Sequence, residues 1–253
     1  MRRNLGTFAF TLSLCLMSAA WLCAGEQTKH ALKLEADAPT GRPQRELKYL
    51  LALPADYEKQ PDAKWPLVLF LHGGGERGDD LEKVKVHGPP KLSAAGKDLP
   101  YVLVSPQCPA EERWNPHDLA KLVDSVANTH RVDRRRLYVT GLSLGGGGTW
   151  SLLTEYPGKF AAAIPICGRG DPEAAEKLAK TPIRVFVGGK DREQTVQNCQ
   201  EMTAALKKAG GDAELKLYPD LPHDCWTETY DEPAVWEWLL AQRLPEASAE
   251  PKK

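Results

Sequence analysis

The sequence predicts an α/β protein with a mainly parallel sheet and helices on both faces of that sheet. Short apolar runs of strand length alternate along the chain with stretches of helical periodicity, which is the pattern of repeated βαβ units. Several of these runs are continuously apolar, as is typical of strands buried on both faces. A chain of 253 residues is long enough for one large domain of this kind. The net charge of −1 provides no global field for nucleic acid, so we expect no nucleic-acid partner.

The two ends of the chain are set apart from the predicted domain. Residues 1–25 combine a basic start, an apolar run and small residues, which are the three parts of a secretory signal peptide. The apolar run is short and interrupted for a membrane span, and an uncleaved anchor is the alternative. We therefore expect an exported protein, periplasmic or secreted, with no membrane association in its mature form. The domain then covers residues 26–244, and the polar residues 245–253 are predicted to be a disordered tail.

The cysteines of the predicted domain leave two possibilities open. In an exported protein they are free to pair as disulfides, and buried free thiols are equally compatible with their positions. None shows the close paired spacing of a zinc site, so we expect no metal. These cysteines are Cys108, Cys167, Cys199 and Cys225.

The predicted elements follow in chain order. Alternating apolar residues near residues 32–34 and 47–53 predict an antiparallel hairpin at the start of the domain. Buried strands are predicted at residues 66–71, 101–104, 137–139, 160–166, 183–187 and 213–218, and helices at 119–126, 144–156, 174–179, 196–209 and 236–240. The proline-broken segment 79–96 is predicted to be a loop with little regular helix, and the basic cluster 134–136 a solvated loop.

A strand, a sharp turn and a helix start are predicted around Ser143. Gly141 and Gly145 flank this serine in the pattern G-x-S-x-G, in which a strained turn lifts the serine hydroxyl out of the sheet. Ser143 is therefore a candidate nucleophile, although the short pattern also fits an ordinary turn. Residues 146–148 are all glycine, and each lowers helix propensity by about 1 kcal/mol relative to alanine. Their presence indicates close packing of this helix against the sheet.

Asp191 and His223 are the candidate partners of Ser143. Both follow predicted strands, and the carboxyl ends of parallel strands meet at one edge of a sheet. A serine hydroxyl needs an imidazole to accept its proton and a carboxylate to orient that imidazole. The chain order serine, aspartate, histidine is that of the α/β-hydrolase fold. Asp171, which also follows a strand, is the rival acid, and Asp224 is a second rival beside His223.

An oxyanion hole is predicted from two backbone segments. Residues 72–75 form a glycine-rich loop after a buried strand, where N–H groups of Gly73 and Gly74 can approach a developing negative charge. The N–H of Leu144, directly after the nucleophile, is the second predicted donor. The run 73–78 also fits G-x-G-x-x-G, but no apolar helix follows it, so we expect no dinucleotide and no other cofactor. His72, Trp114 and Trp226 are candidates for the wall of the substrate cleft, with ordinary packing as the alternative.

Three motifs together resemble a known group of enzymes. Residues 69–80, 138–150 and 223–226 resemble a bacterial group of α/β-hydrolase serine esterases that are often labelled predicted peptidases. That group is similar to polyhydroxyalkanoate depolymerases, feruloyl esterases, dienelactone hydrolases and the catalytic domain of prolyl oligopeptidases. The resemblance covers about residues 45–244 and implies Ser143 as nucleophile, Asp191 as acid and His223 as base. Two positions depart from the group: Leu144 stands where methionine is common, and Gly147 where a larger residue is usual.

The expected function is that of an exported serine hydrolase, a monomer or small homo-oligomer. It would cleave carboxylic esters of small molecules or polymers through an acyl-enzyme intermediate. The short connection between residues 166 and 183 leaves little chain for a large lid, so we expect an open cleft. A serine peptidase of the prolyl-oligopeptidase type is the alternative, although such an enzyme normally carries a large gating domain that this sequence lacks. A binding module on an inactive hydrolase fold is the second alternative.

Overall fold

The computed structural model describes residues 26–36 and 42–246, so the predicted signal peptide lies outside the described residues. The described chain forms an eight-stranded sheet in the order β1-β2-β4-β3-β5-β6-β7-β8. The β1–β2 and β2–β4 pairs are antiparallel, and the other neighbouring pairs are parallel. The predicted fold class, a mainly parallel sheet with an antiparallel hairpin at its N-terminal end, is therefore confirmed.

The elements have the following bounds. The strands are β1 (Gln27–Leu34), β2 (Arg45–Ala52), β3 (Trp65–Leu71), β4 (Val102–Pro106), β5 (Val132–Leu142), β6 (Ala162–Ile166), β7 (Ile183–Gly188) and β8 (Ala213–Tyr218). The helices are α1 (Gly88–Ala94), α2 (Pro116–Thr129), α3 (Leu144–Glu155), α4 (Ala175–Leu178), α5 (Glu193–Lys208), α6 (Trp226–Asp231) and α7 (Pro233–Ala241). Short 3-10 helices span Leu81–Val86 and Pro172–Ala174.

Alternate residues of the central strands pack into two apolar cores on opposite faces of the sheet. In β3, Leu69 belongs to the core that includes residues of α2, α3 and α5, whereas Phe70 belongs to the core that includes residues of α6 and α7. Both side chains have no exposed surface. Burying a side chain of this size contributes roughly 1.5–3 kcal/mol. The continuous apolar run of β3 therefore follows from the helices that cover both faces.

The segment between β3 and β4 differs from its prediction. We expected a loop over residues 79–96, but the structure contains the 3-10 helix Leu81–Val86 and α1. The Asp80 carboxylate caps the 3-10 helix by accepting a hydrogen bond from the Glu82 N–H. Pro89 and Pro90 lie in the first turn of α1, where a helix needs no N–H donor. The prolines that indicated a loop in fact start a helix.

The basic cluster of residues 134–136 was also predicted wrongly, because it lies within β5 rather than in a solvated loop. The guanidinium of Arg136 binds Asp133 at 2.9 Å, and that of Arg135 binds Glu246 at 2.8 Å. The cluster falls where the register between β5 and β3 is irregular, between the pairs Val132–Trp65 and Leu137–Leu67. Ion pairs hold this charged part of β5 in place.

The end of the described chain packs against the same strand. The Nε of Arg135 donates to the carbonyl of Leu244 at 2.9 Å, so ordered contacts extend two residues past the predicted domain boundary. Residues 247–253 of the predicted tail lie outside the described residues. Among the helices that the structure describes, none combines the length and apolar character needed to cross a membrane.

Candidate active site

Ser143 lies in a strained turn between β5 and α3. Its φ of 53° and ψ of −111° fall in a region that side-chain-bearing residues rarely adopt, at a cost of about 1–3 kcal/mol. The Ser143 N–H donates to the carbonyl of Ile166 at 2.8 Å, and its carbonyl accepts from the Gly147 N–H at 3.1 Å. A Cβ at Gly145 would lie 1.9 Å from the carbonyl oxygen of Leu71, so the turn needs glycine there. Packing and hydrogen bonds thus hold the turn in its strained shape.

The structure brings the predicted histidine and acid to this serine. The Nε2 of His223 lies 2.9 Å from Ser143 Oγ, and its Nδ1 lies 2.7 Å from Asp191 Oδ2. The Asp191 side chain is fully buried, and its other oxygen accepts from the Arg192 N–H at 2.6 Å. A carboxylate at Nδ1 favours the tautomer with its proton on that nitrogen, which leaves Nε2 free to accept the serine proton. The arrangement is therefore suited to activating the Ser143 hydroxyl.

The loop that carries His223 is tied to the end of β7. The Lys190 N–H donates to the carbonyl of Leu221 at 2.9 Å, and the Gly189 N–H donates to that of Tyr218 at 2.7 Å. A Cβ on Gly188 would lie 1.9 Å from the carbonyl oxygen of Pro222, the residue before the histidine. The loop can therefore approach β7 this closely only because residue 188 is glycine.

The two rival acids lie elsewhere. The carboxylate of Asp171 accepts from the Glu173 N–H at 3.0 Å and caps the short 3-10 helix Pro172–Ala174. The Asp224 side chain is exposed, and within the described residues neither rival makes an ion pair or hydrogen bond to His223. Geometry therefore favours Asp191 as the acid.

The predicted oxyanion donors divide into two groups. Leu144 is the first residue of α3, so its N–H has no acceptor within the helix. Leu144 and Gly74 both line the cleft beside Ser143. Gly73 is not among the lining residues, and a Cβ built on it would lie 2.8 Å from Leu142 Cδ1. The structure thus places Leu144 and Gly74 at the cleft and Gly73 behind it.

His72 does not face the cleft, so its expected place in the cleft wall was wrong. Its side chain has no exposed surface, and burial lowers its pKa to about 4, which keeps it neutral. Its Nε2 accepts from the Cys108 N–H at 3.0 Å, and its Nδ1–H then donates to the carbonyl of Gly73 at 2.7 Å. The indole N–H of Trp114 donates to the His72 carbonyl at 3.2 Å. His72 therefore anchors the glycine loop from the interior.

The other two candidates for the cleft wall lie in different places. Trp114 lines the cleft. Trp226 is not among the lining residues; its ring meets the His223 ring edge-on with centroids 5.6 Å apart, and its N–H donates to His87 Nδ1 at 3.3 Å. Trp226 therefore supports the candidate base from one side.

The cleft above Ser143 has a volume of about 480 Å³. Sequence reasoning missed several of its polar lining residues, which are Arg113, Ser151, Arg169, Arg192 and Thr195. One signal was present, because Arg169 and Arg192 follow closely after β6 and β7, at the sheet edge where sites form.

Two thiols lie directly beneath the His223 loop. The Sγ of Cys167 donates to the His223 carbonyl at 2.9 Å and lies 3.2 Å from Cys225 Sγ, beyond the roughly 2.05 Å of a disulfide bond. The four cysteines among the described residues are free and buried. The hydrogen bond with Cys167, together with burial, raises the pKa of the Cys225 thiol. The raised pKa keeps the Cys225 thiol protonated beside Cys167.

A metal would compete with the hydrogen bonds already present at the site. Cys167, Asp191 and His223 bring potential ligand atoms within 4.8 Å of one another. However, His223 directs one ring nitrogen to Asp191 and the other to Ser143. The set is therefore better suited to proton transfer than to metal binding.

The fold and the serine turn define the protein as an α/β-hydrolase. The chain belongs to the dienelactone hydrolase family, whose sequence pattern matches residues 109–237. A solved thermostable esterase is 33% identical, with a TM-score of 0.70, over 85% of this chain and 63% of that one. A solved ferulic acid esterase, 17% identical with a TM-score of 0.62 over 85% of this chain and 96% of that one, shares the fold. These findings confirm the predicted resemblance.

Curated relatives match over shorter stretches. A Yersinia pestis protein, assigned by inference as a carboxymethylenebutenolidase, is 30% identical over 107 residues, which are 38% of this chain and 40% of the relative. Poly(3-hydroxyalkanoate) depolymerase C of Paucimonas lemoignei is 31% identical over 123 residues, 42% of this chain and 28% of the relative. The chain thus spans well under half the length of the curated relatives it matches.

Proposed function

We propose that the protein is a serine hydrolase that cleaves carboxylic esters through an acyl-enzyme intermediate. One observation carries the proposal: Ser143 and His223 lie on the floor of an open cleft and are hydrogen-bonded in series with the buried Asp191 behind them. Membership of the dienelactone hydrolase family and the likeness to a solved esterase support an ester as the substrate.

The first half of the reaction forms the acyl-enzyme. His223 Nε2 accepts the proton of Ser143 while the serine Oγ attacks the ester carbonyl carbon. The N–H groups of Leu144 and Gly74 donate to the oxyanion of the tetrahedral intermediate, a kind of contact whose loss typically lowers the rate on the order of 10²- to 10³-fold. His223 then gives its proton to the leaving alcohol oxygen as the carbon–oxygen bond breaks.

The second half releases the acid. A water molecule gives a proton to His223 and attacks the acyl carbon, and the same proton then returns to Ser143 Oγ as the acid departs. The Asp191 carboxylate orients His223 and stabilises the imidazolium that forms twice per turnover. Its full burial strengthens this interaction, because water does not screen it.

We further propose that the enzyme is exported and acts on bulky or polymer-linked esters as well as small ones. The export proposal rests on the sequence of residues 1–25. The polymer proposal rests on access, since the connection between β6 and β7 contains only the short 3-10 helix and α4. A connection this small does not cover the cleft as a large lid would.

The proposed function is tested with an active-site probe and matched substrates. A fluorophosphonate should label the wild type and Ser151→Ala, which alters the other serine of the same cleft, but not Ser143→Ala. Hydrolysis of 4-nitrophenyl acetate should fall about 10⁴-fold or more in Ser143→Ala. Labelling that persists in Ser143→Ala would remove this serine as the nucleophile. Faster turnover of the matched 4-nitroanilide than of the ester would instead indicate a peptidase.

A further inference from the structure

The arginines of this protein fall into two groups. Most of them use their guanidinium groups in ion pairs or hydrogen bonds: Arg42, Arg45, Arg77, Arg131, Arg134, Arg135, Arg136, Arg184 and Arg243. Within the described residues, the guanidinium groups of Arg113, Arg169 and Arg192 make neither kind of contact. Among the described residues, three arginines therefore have guanidinium groups without a partner.

All three unpaired arginines line the cleft that contains Ser143. They come from three connections: Arg113 precedes α2, Arg169 follows β6, and Arg192 precedes α5. All three are exposed. The residues that line this cleft include no aspartate, glutamate or lysine. The cleft wall therefore carries three positive charges in a chain whose net charge is only −1.

Such a wall is suited to an anionic ligand. Like charges on neighbouring guanidinium groups repel, and most of the other arginines of the described chain are compensated by carboxylates. An arginine presents a planar fork of N–H donors that fits a carboxylate with two parallel hydrogen bonds. A single carboxylate satisfies one such fork, whereas three arginines on separate loops fit a ligand with several negative groups.

We infer that the substrate is an ester within a carboxylate-bearing molecule, and that more than one carboxylate binds these arginines. This inference rests on the proposed esterase function and specifies its substrate class. The arginines bind and orient the substrate, while the bond changes remain those of Ser143 and His223. The charge has no part in the chemical step, so its effect falls mainly on KM.

Two matched substrate pairs test the charge preference on either side of the ester bond. The acyl side compares mono-4-nitrophenyl glutarate with 4-nitrophenyl pentanoate, and the alcohol side compares 4-acetoxybenzoate with its methyl ester. We expect kcat/KM for the charged member to exceed that of its neutral partner about tenfold in at least one pair. The preference should shrink as salt rises, because ions screen exposed charges. Equal or lower values for the charged member in both pairs would overturn the inference.

Single substitutions then assign the preference to residues. Arg113→Gln, Arg169→Gln and Arg192→Gln should each lower the charged-to-neutral ratio of kcat/KM about three- to tenfold, chiefly through KM. The matched control is Arg134→Gln, which removes the same charge from β5, outside this cleft. If the three cleft variants keep the wild-type ratio as the control does, the arginines do not bind the substrate.

Competition experiments test the requirement for several carboxylates. Trigalacturonate, galacturonate and neutral maltotriose are compared as inhibitors of 4-nitrophenyl acetate hydrolysis. We expect trigalacturonate to inhibit at a concentration at least about tenfold below galacturonate, with maltotriose the weakest. Equal inhibition by all three would contradict binding of a polycarboxylate.

Hydrolysis of the neutral esters distinguishes a failure of the substrate class from a failure of the esterase function. Hydrolysis of the neutral members, lost in Ser143→Ala but without a preference for charge, would leave the esterase function intact and reject only the substrate class. Absence of hydrolysis and of fluorophosphonate labelling in the folded protein would reject the esterase function itself.

Discussion

The floor and the rim of the cleft are built in opposite ways. The floor, formed by Ser143 and His223 with the buried Asp191 behind them, is fixed by backbone hydrogen bonds, close glycine contacts and that carboxylate. The rim, formed by Arg113, Arg169 and Arg192, consists of exposed side chains without partners among the described residues. Substitutions at such exposed positions usually change stability by no more than about 0.5 kcal/mol. The difference teaches that this fold can vary what it binds without disturbing how it reacts.

The largest effect is expected on the floor, at the acid. Asp191→Asn should lower kcat about 10⁴-fold, because an amide favours the wrong tautomer of His223 and does not stabilise its positive charge. Asp171→Asn is the matched control, since Asp171 only caps a short 3-10 helix. Steady-state kinetics on one aryl ester compare the two variants. A larger loss in Asp171→Asn would transfer the acid role to that residue.

A second large effect concerns His72, which anchors the glycine loop beneath the floor. In the unfolded chain its imidazole takes up a proton below pH 6.5, whereas in the folded protein its pKa is about 4. The unfolded state therefore binds more protons between these values, and stability falls as the pH falls from about 6.5 to about 4. A shift of this size corresponds to about 3 kcal/mol of unfolding free energy.

Urea unfolding at a series of pH values measures this effect in the wild type and in His72→Gln. The variant should lack this part of the acid sensitivity, and an NMR titration should show the His72 ring neutral down to about pH 4. A ring that titrates near pH 6.5 would show that its burial does not hold the imidazole neutral.

Substitution by alanine should have different effects at Gly188, which contacts the loop with His223, and at Gly147, which lies beside the rim residue Arg169. In Gly188→Ala the new Cβ would lie 1.9 Å from the Pro222 carbonyl oxygen, so the loop with His223 must move. A displacement of about 1 Å at a reacting group can lower the rate on the order of 10²-fold. Stopped-flow or steady-state kcat values measure this loss.

Gly147→Ala is the matched control and has the smallest expected effect. Gly147 lines the cleft, and its new Cβ would lie 3.6 Å from the Arg169 carbonyl oxygen, which is an ordinary van der Waals contact. We expect kcat to change by less than about threefold and the unfolding free energy to rise by up to about 1 kcal/mol, the helix propensity difference. Equal losses in both variants would remove the distinction between floor and rim.

The positions of the floor residues could be predicted from the sequence because the topology brings them together. Each follows the end of a strand recognisable by its apolar run, and parallel strands end at one edge. The sequence could not predict whether the His72 side chain faces the cleft or the interior, since the side chain of a residue just past a strand can point to either side. The packing role expected of the glycines at 146–148 likewise does not extend to Gly147, which lines the cleft and where a Cβ would make only an ordinary contact.

The helices between β3 and β4 and the role of the rim arginines could not be predicted from the sequence. Of the two helices between β3 and β4, α1 begins with prolines, which are also typical of loops. The 3-10 helix is distinguished from a solvated loop by the burial of Leu81 and Val84, which the sequence does not show. The rim arginines are exposed, so they belong to no apolar period, and their lack of partners becomes visible only when the carboxylates of the other arginines are located.

The residue after each of three neighbouring strands is hydrogen-bonded to the next strand of the sheet. The Ser143 N–H donates to the end of β6 at Ile166, the Cys167 N–H to Phe186 in β7, and the Gly189 N–H to Tyr218 at the end of β8, each within 2.8 Å. A shift in one turn therefore reaches the next, and substitutions in contact of this kind do not add independently. As related sequences diverge, substitutions in these turns must therefore occur together or not at all. Single substitutions can alter the cleft only at its rim.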